Sequence, residues 1–108
     1  MTGHSYDPVS TVRSFYLALS KADGMSATAL VVPEKRAAGA YNADSITQFY
    51  SGLREPLRVL SIERVNNDTV GVKYRFVRSN GTACVGDAKV NTILLEGKTL
   101  IMGISANC

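Results

Sequence analysis

Tryptophan is absent from this 108-residue chain, histidine occurs once, at His4, and cysteine twice, at Cys84 and Cys108. One histidine and two distant cysteines give no spacing that a metal site uses. No glycine-rich phosphate loop and no nucleophile elbow is present, so no cofactor is expected. No apolar run approaches the roughly 18–20 residues of a membrane span, so no membrane is expected as a partner. Met1 to Pro8 lacks the cationic-then-apolar pattern of a signal peptide. Nor does one sign of charge dominate: 12 basic against 9 acidic residues leave +3. The basic residues are scattered, with Lys73, Arg75 and Arg78 the densest group. Without aromatic–basic interleaving they predict no nucleic-acid partner.

What is present is an ordinary 45% apolar content spread along the whole length. That is one domain, residues 1–108, large enough to bury a core. The front half has helical periodicity. Asp7-Pro8 is a cap followed by proline at the first helical position, and Val9, Val12, Phe15, Tyr16 and Leu19 recur at spacings of three and four. Asp23 caps a short second helix with Met25, Ala29 and Leu30, ended by Pro33. Ser45 to Gln48 matches a capping box, with Asn42 as a rival cap. Ile46, Phe49, Tyr50 and Leu53 then form a stripe that Pro56 closes.

After Pro56 the period changes to two. Strands are predicted over Leu57 to Val65, Thr69 to Arg78, Thr82 to Leu95 and Thr99 to Ala106. Asn66 to Asp68, Asn80-Gly81 (a two-residue hairpin signal) and Glu96 to Lys98 supply the turns. Connections this short predict an antiparallel meander. The fold class is therefore α+β: three N-terminal helices packed on a curved four-stranded sheet, cone-like, with a cavity at its open end.

The stretch Val9 to Leu19 (VSTVRSFYLAL), the break Ala22-Asp23-Gly24 and Ala29-Leu30-Val31 resemble the nuclear transport factor 2-like superfamily, which also holds the ketosteroid isomerases and polyketide cyclases. The resemblance implies the α+β cone and leaves the activity open, because the superfamily includes enzymes, binding proteins and dimerisation modules. Its isomerases pair an Asp base with Tyr or Asp donors. No motif here carries that pair onto particular positions, and the chain is short for the enzyme branch.

Tyr16, Tyr50 and Tyr74, with Met25 and Phe49, are the expected lining of a ligand pocket. The tyrosines are also readable as core residues with a satisfied hydroxyl, the more frequent role of such residues. Glu34-Lys35-Arg36 is either a solvated loop or a hold for an anionic ligand at the cavity mouth. Asp87 is either a catalytic carboxylate or a cross-strand ion-pair partner of Lys73 or Arg75. Asn67-Asp68-Thr69 and Asn80-Gly81-Thr82 match glycosylation sequons, but both fall in turns that already explain the asparagines. A two-residue loop at Glu96-Gly97 sets position 109 opposite Cys84, and a three-residue loop sets 110. One bulge or a bent terminus then brings Cys108 into disulfide reach, closing a loop of about 25 residues worth roughly 3 kcal/mol. The alternatives are two free thiols or a reactive one. A bridge implies a periplasmic or secreted location, and free thiols a cytoplasmic one.

Two functions fit. The first is a non-catalytic module that binds a small apolar or anionic ligand or a protein. It is homodimeric through an open sheet face carrying Leu60, Ile62, Val77, Ile93, Leu95 and Ile101 with Lys73, Arg75, Asp87 and Lys89. The second is an isomerase or lyase, which needs a buried carboxylate beside the tyrosines.

Overall fold

The computed structural model of the chain describes residues 6–37 and 39–108; His4 lies outside them. Three helices, α1 (Pro8–Ser20), α2 (Gly24–Thr28) and α3 (Ala43–Ser51), come first in the chain, with short 3-10 turns at Pro33–Lys35 and Gly39–Tyr41. Four strands follow: β1 (Glu55–Arg64), β2 (Thr69–Val77), β3 (Ala83–Leu95) and β4 (Lys98–Ala106). They form one antiparallel sheet in the order β1-β2-β3-β4. The chain is an α+β protein built as a meander.

The helix starts follow side-chain chemistry. The Asp7 carboxylate accepts from Ser10 N–H at 3.1 Å, and Pro8 occupies the first turn of α1. Asp23 accepts from the Ser26 amide and hydroxyl at 3.1 and 2.7 Å, bonds that hold its carboxyl below the usual carboxylate range. Asn42 is the cap of α3, accepting from Asp44 and Ser45 N–H at 3.0 and 3.2 Å. The capping box expected at Ser45 does not form, because the helix begins at Ala43 and Ser45 is already inside its first turn. Gly24 lets α2 start against α3: its N–H donates to Thr47 Oγ1 at 3.0 Å, and a Cβ there would run into the Ala43 carbonyl.

The sheet's covered face alternates as period two predicts. Val70, Val72, Tyr74 and Phe76 of β2 and Cys84, Ala88 and Val90 of β3 are buried, while Lys73, Val85, Asp87 and Lys89 are exposed. Three register shifts break the alternation, the first where Pro56 and Leu57 together span Phe76 between Glu55↔Val77 and Arg58↔Arg75. Leu60 is the extra residue between Val59↔Tyr74 and Ser61↔Lys73, and Met102 the extra residue between Asn91↔Gly103 and Thr92↔Ile101. Each bulge moves the following residues to the other face.

The expected open face changes accordingly. Ile62 stands opposite Val72 and packs on the core. Ile101 is fully buried, because the chain before Pro33 pairs with the outer edge of β4: Val32 N–H donates to Ile101 O at 2.9 Å and Ile101 N–H to Leu30 O at 2.7 Å. Val77 is buried where the α3–β1 connection returns, with Arg54 N–H donating to its carbonyl at 2.8 Å. Ile93 and Leu95 pack against the core. Of the six expected aliphatics, Leu60 alone is exposed.

The turns also differ in one place. Glu96 and Gly97, with φ of 51° and 80°, make a two-residue loop. Asn80-Gly81 does not. Gly81 N–H donates to Arg78 O and Arg78 N–H to Thr82 O, both at 2.9 Å, so the loop has three residues with Gly81 in the left-handed position.

Candidate functional site: a tyrosine-lined cavity

A cavity of about 270 Å³ opens between α1, α3 and the sheet, lined by Phe15, Tyr16, Tyr41, Tyr50, Tyr74 and Ile104 among others. The periodicity of α1 brings Tyr16 inward. Its ring stacks on Tyr74 of β2 with centroids 5.8 Å apart and planes 28° apart. Tyr74 can lie there because its register partner on β3 is Gly86. A Cβ at Gly86 would come within 2.5–2.7 Å of three atoms of the Tyr74 side chain, so any side chain at that position displaces the ring.

The four phenols divide into two pairs. Tyr74 donates to the Cys108 carbonyl at 3.1 Å, and the Tyr41 hydroxyl accepts from Ile104 N–H at 2.9 Å. The hydroxyls of Tyr16 and Tyr50 make no hydrogen bond to any other described residue. Tyr16 is only 3% exposed, so any partner for its hydroxyl has to sit within the cavity it lines. Burial pushes its phenol well above the ordinary range, and the neighbouring Tyr74, Tyr50 and Tyr41 add to the shift. Burial, with a smaller effect of Tyr74, pushes Tyr50 up to about 12. Tyr74 is raised by burial and then by the Asp87 charge. All three are neutral at physiological pH, and no Asp, Glu, Lys, Arg or His side chain lines the cavity among the described residues. The site therefore offers two O–H groups without a hydrogen-bond partner among the described residues, in a cavity lined mainly by aromatic and aliphatic side chains.

The other expected lining residues lie elsewhere. Phe49 is 48% exposed and packs edge-on against Tyr50 and Phe76, with centroids 4.8 and 5.9 Å away. It lines an outer hollow of about 430 Å³ that shares Ala40, Ile46 and Tyr50 with the cavity. Met25 is 76% exposed and lines neither space, because so short a helix as α2 turns only Gly24 and Ala27 inward. Tyr41 is the lining residue that periodicity misses. It sits in the 3-10 turn before α3, where no repeating apolar spacing marks a covered face.

Asp87 is exposed on the far side of the sheet, opposite Lys73 in register, and makes no ion pair with another described residue. Among the described residues Arg75 pairs with Glu55 instead, at 2.9 Å. Lys35 is tied to Met102 O and sits 5.9 Å from the Tyr41 ring centroid, while Arg36 donates to Val31 O at 2.8 Å and Ala29 O at 3.2 Å. This charged run therefore fastens the loop to α2 and β4 and leaves no cation in the cavity lining.

Cys84 and Cys108 stand together, with Cα atoms 6.5 Å apart, inside the span of a disulfide. The Met102 bulge leaves position 110 as the register partner of Cys84. Pairing of Ala88 with Ala106, extended by Asn107 N–H on Asp87 O, sets Cys108 across from Gly86, and it reaches Cys84 diagonally.

The chain is similar to the solution structure of a SEC-C motif containing protein from Rhodopseudomonas palustris, with a TM-score of 0.67 at 20% identity over 96% of this chain and 81% of that one. That likeness shows a shared fold. No protein-family model and no curated protein matches the chain. No helix among the described residues is long and apolar enough to cross a membrane.

Proposed function

We propose that this chain is a non-catalytic binding domain. Its cavity, at the open end of a nuclear transport factor 2-like cone, takes a small, mostly apolar, neutral molecule bearing an acceptor oxygen. The observation that carries the reading is the hydroxyl of Tyr16, a residue 3% exposed that lines the cavity and has no hydrogen-bond partner among the described residues. A buried unsatisfied donor costs about 1–3 kcal/mol, and a ligand acceptor recovers that cost. At interior packing density about 270 Å³ holds roughly ten non-hydrogen atoms. An enolising isomerase needs an Asp or Glu base in the same space, and no such side chain lines it among the described residues.

The paired cysteines belong to this reading as a bridge, which goes with an oxidising compartment. Homodimer formation through the open face belongs to it as well: Val85 is 64% exposed there, beside Lys73 and Asp87, which form no ion pair among the described residues.

The test is a magnetic-resonance titration of the full chain with cyclohexanone and with methylenecyclohexane, which has the same shape but no acceptor oxygen. The ketone should bind more tightly, with shifts centred on Tyr16 and Tyr50, and Tyr16→Phe should shrink the difference. Equal binding of the two, or shifts confined to the outer sheet face, would refute the proposal.

A further inference from the structure

β4 ends at Ala106, and two more residues continue beside β3. Asn107 N–H donates to Asp87 O at 3.3 Å, and Asp87 N–H donates to Asn107 Oδ1 at 2.8 Å. Both residues are exposed, so water competes for these bonds. Cys108 forms part of the cavity wall beside Tyr74, whose hydroxyl donates to its carbonyl. The hairpin behind it does not need the cysteines, because its ladder runs from Leu95↔Lys98 to Ala88↔Ala106 with a single bulge. The Cys84–Cys108 pair is thus the main hold on this stretch of wall.

We propose that Cys84–Cys108 is a redox latch: bridged, it keeps the cavity wall closed, and reduced, it opens the wall and releases the bound molecule. This regulation rests on the binding function proposed above. The step is thiol–disulfide exchange with a dithiol reductant, which supplies two electrons and two protons. The S–S bond breaks, each cysteine sulfur takes one proton, and the dithiol closes to its own disulfide. The reductant reaches the bridge from the exposed Cys108 side, since Cys84 is 5% exposed. Once Asn107 and Cys108 swing away, Tyr74 loses its acceptor and water enters beside Tyr16.

The test uses the full chain, untreated and treated with dithiothreitol, with cyclohexanone as probe. The denatured untreated protein should show no free thiol. Reduction should weaken cyclohexanone binding by about tenfold or more. It should speed hydrogen exchange of the Asp87 amide by a similar factor while the Val72 and Val90 amides and the far-ultraviolet spectrum stay unchanged. Cys108→Ser should behave as the reduced form without reductant. Two free thiols in the untreated protein would overturn the latch, and so would equal Asp87 exchange in the two forms. Loss of the far-ultraviolet signal on reduction would overturn it too, because the bridge would then hold the fold rather than the wall. Failure of the bridged form to bind cyclohexanone would overturn the binding function, and Asp87 exchange would then decide the latch alone.

Discussion

Replacing Gly86 by alanine tests the geometry on which the cavity depends. The new methyl would meet three atoms of the Tyr74 side chain at 2.5–2.7 Å, well inside van der Waals contact. Gly86 is the register partner of Tyr74 in the β2–β3 ladder, so the methyl stays over the ring. The Tyr74 ring must therefore swing out, losing its stack on Tyr16 and its hydrogen bond to the Cys108 carbonyl. Overpacking costs about 1–3 kcal/mol, and alanine's better backbone entropy returns about 0.5–1 kcal/mol. The net loss should be about 1–2 kcal/mol, a fall in Tm of roughly 5–15 °C for a domain of this size. Thermal melts followed by far- and near-ultraviolet circular dichroism would measure it. The decisive form is a double-mutant cycle with Tyr74→Leu, in which the cost of Gly86→Ala should largely vanish. An unchanged or raised Tm for Gly86→Ala alone, or an equal cost in both backgrounds, would refute the reasoning.

Tyr16→Phe removes an unpartnered buried hydroxyl and should leave stability unchanged or raise it by up to about 1 kcal/mol, whereas Tyr74→Phe should cost about 1 kcal/mol; urea unfolding distinguishes them. Phe49→Ala should cost about 1–2 kcal/mol in the same assay rather than the about 3–5 kcal/mol of a core phenylalanine, because the ring is 48% exposed and keeps only edge contacts. The phenols of Tyr16, Tyr50 and Tyr74 titrate higher in the fold than in the unfolded chain, so the unfolded state gives up its protons first. Their stabilisation is complete below about pH 10 and falls as pH rises from there toward the Tyr50 value of about 12, by up to about 1.4 kcal/mol per pH unit for each phenol still protonated in the fold. Tm against pH, paired with phenolate absorbance, would show this, and a flat profile through that window would contradict it. Sedimentation at high concentration should find a dimer that Val85→Lys weakens, since Val85 is 64% exposed on the open face; a monomer would count against the pairing surface.

The sequence carried the elements well and the faces less well. Period-two alternation placed all four strands within two residues of their observed ends, and Asp7 and Asp23 marked two helix starts. Alternation fails at Leu60 and Met102 because a bulge leaves no mark in a hydrophobic pattern, yet it reverses every side chain beyond it. Ile62, which follows Leu60, is turned to the core in this way, whereas Ile101 precedes Met102 and is covered by the Leu30–Val32 segment instead. Phe49 shows the same limit for helices. Its spacing from Ile46 fits one stripe, but the stripe is wider than the face α3 covers, so Ile46 is buried and Phe49 is at the rim. Within the cavity, Tyr16 and Tyr74 were legible from periodicity. Tyr41 was not, because its position is set by the Ile104 amide and the turn before α3, contacts between segments far apart in sequence.

The most direct measurement is the carbonyl stretching frequency of carbonyl-labelled cyclohexanone bound to the full chain. Donation from Tyr16 and Tyr50 inside an apolar enclosure should give one narrow band, distinct from the broad band in water, which moves toward the hydrocarbon-solvent value in the Tyr16→Phe, Tyr50→Phe double variant. A band that stays at its water position, or one that ignores both substitutions, would contradict the account.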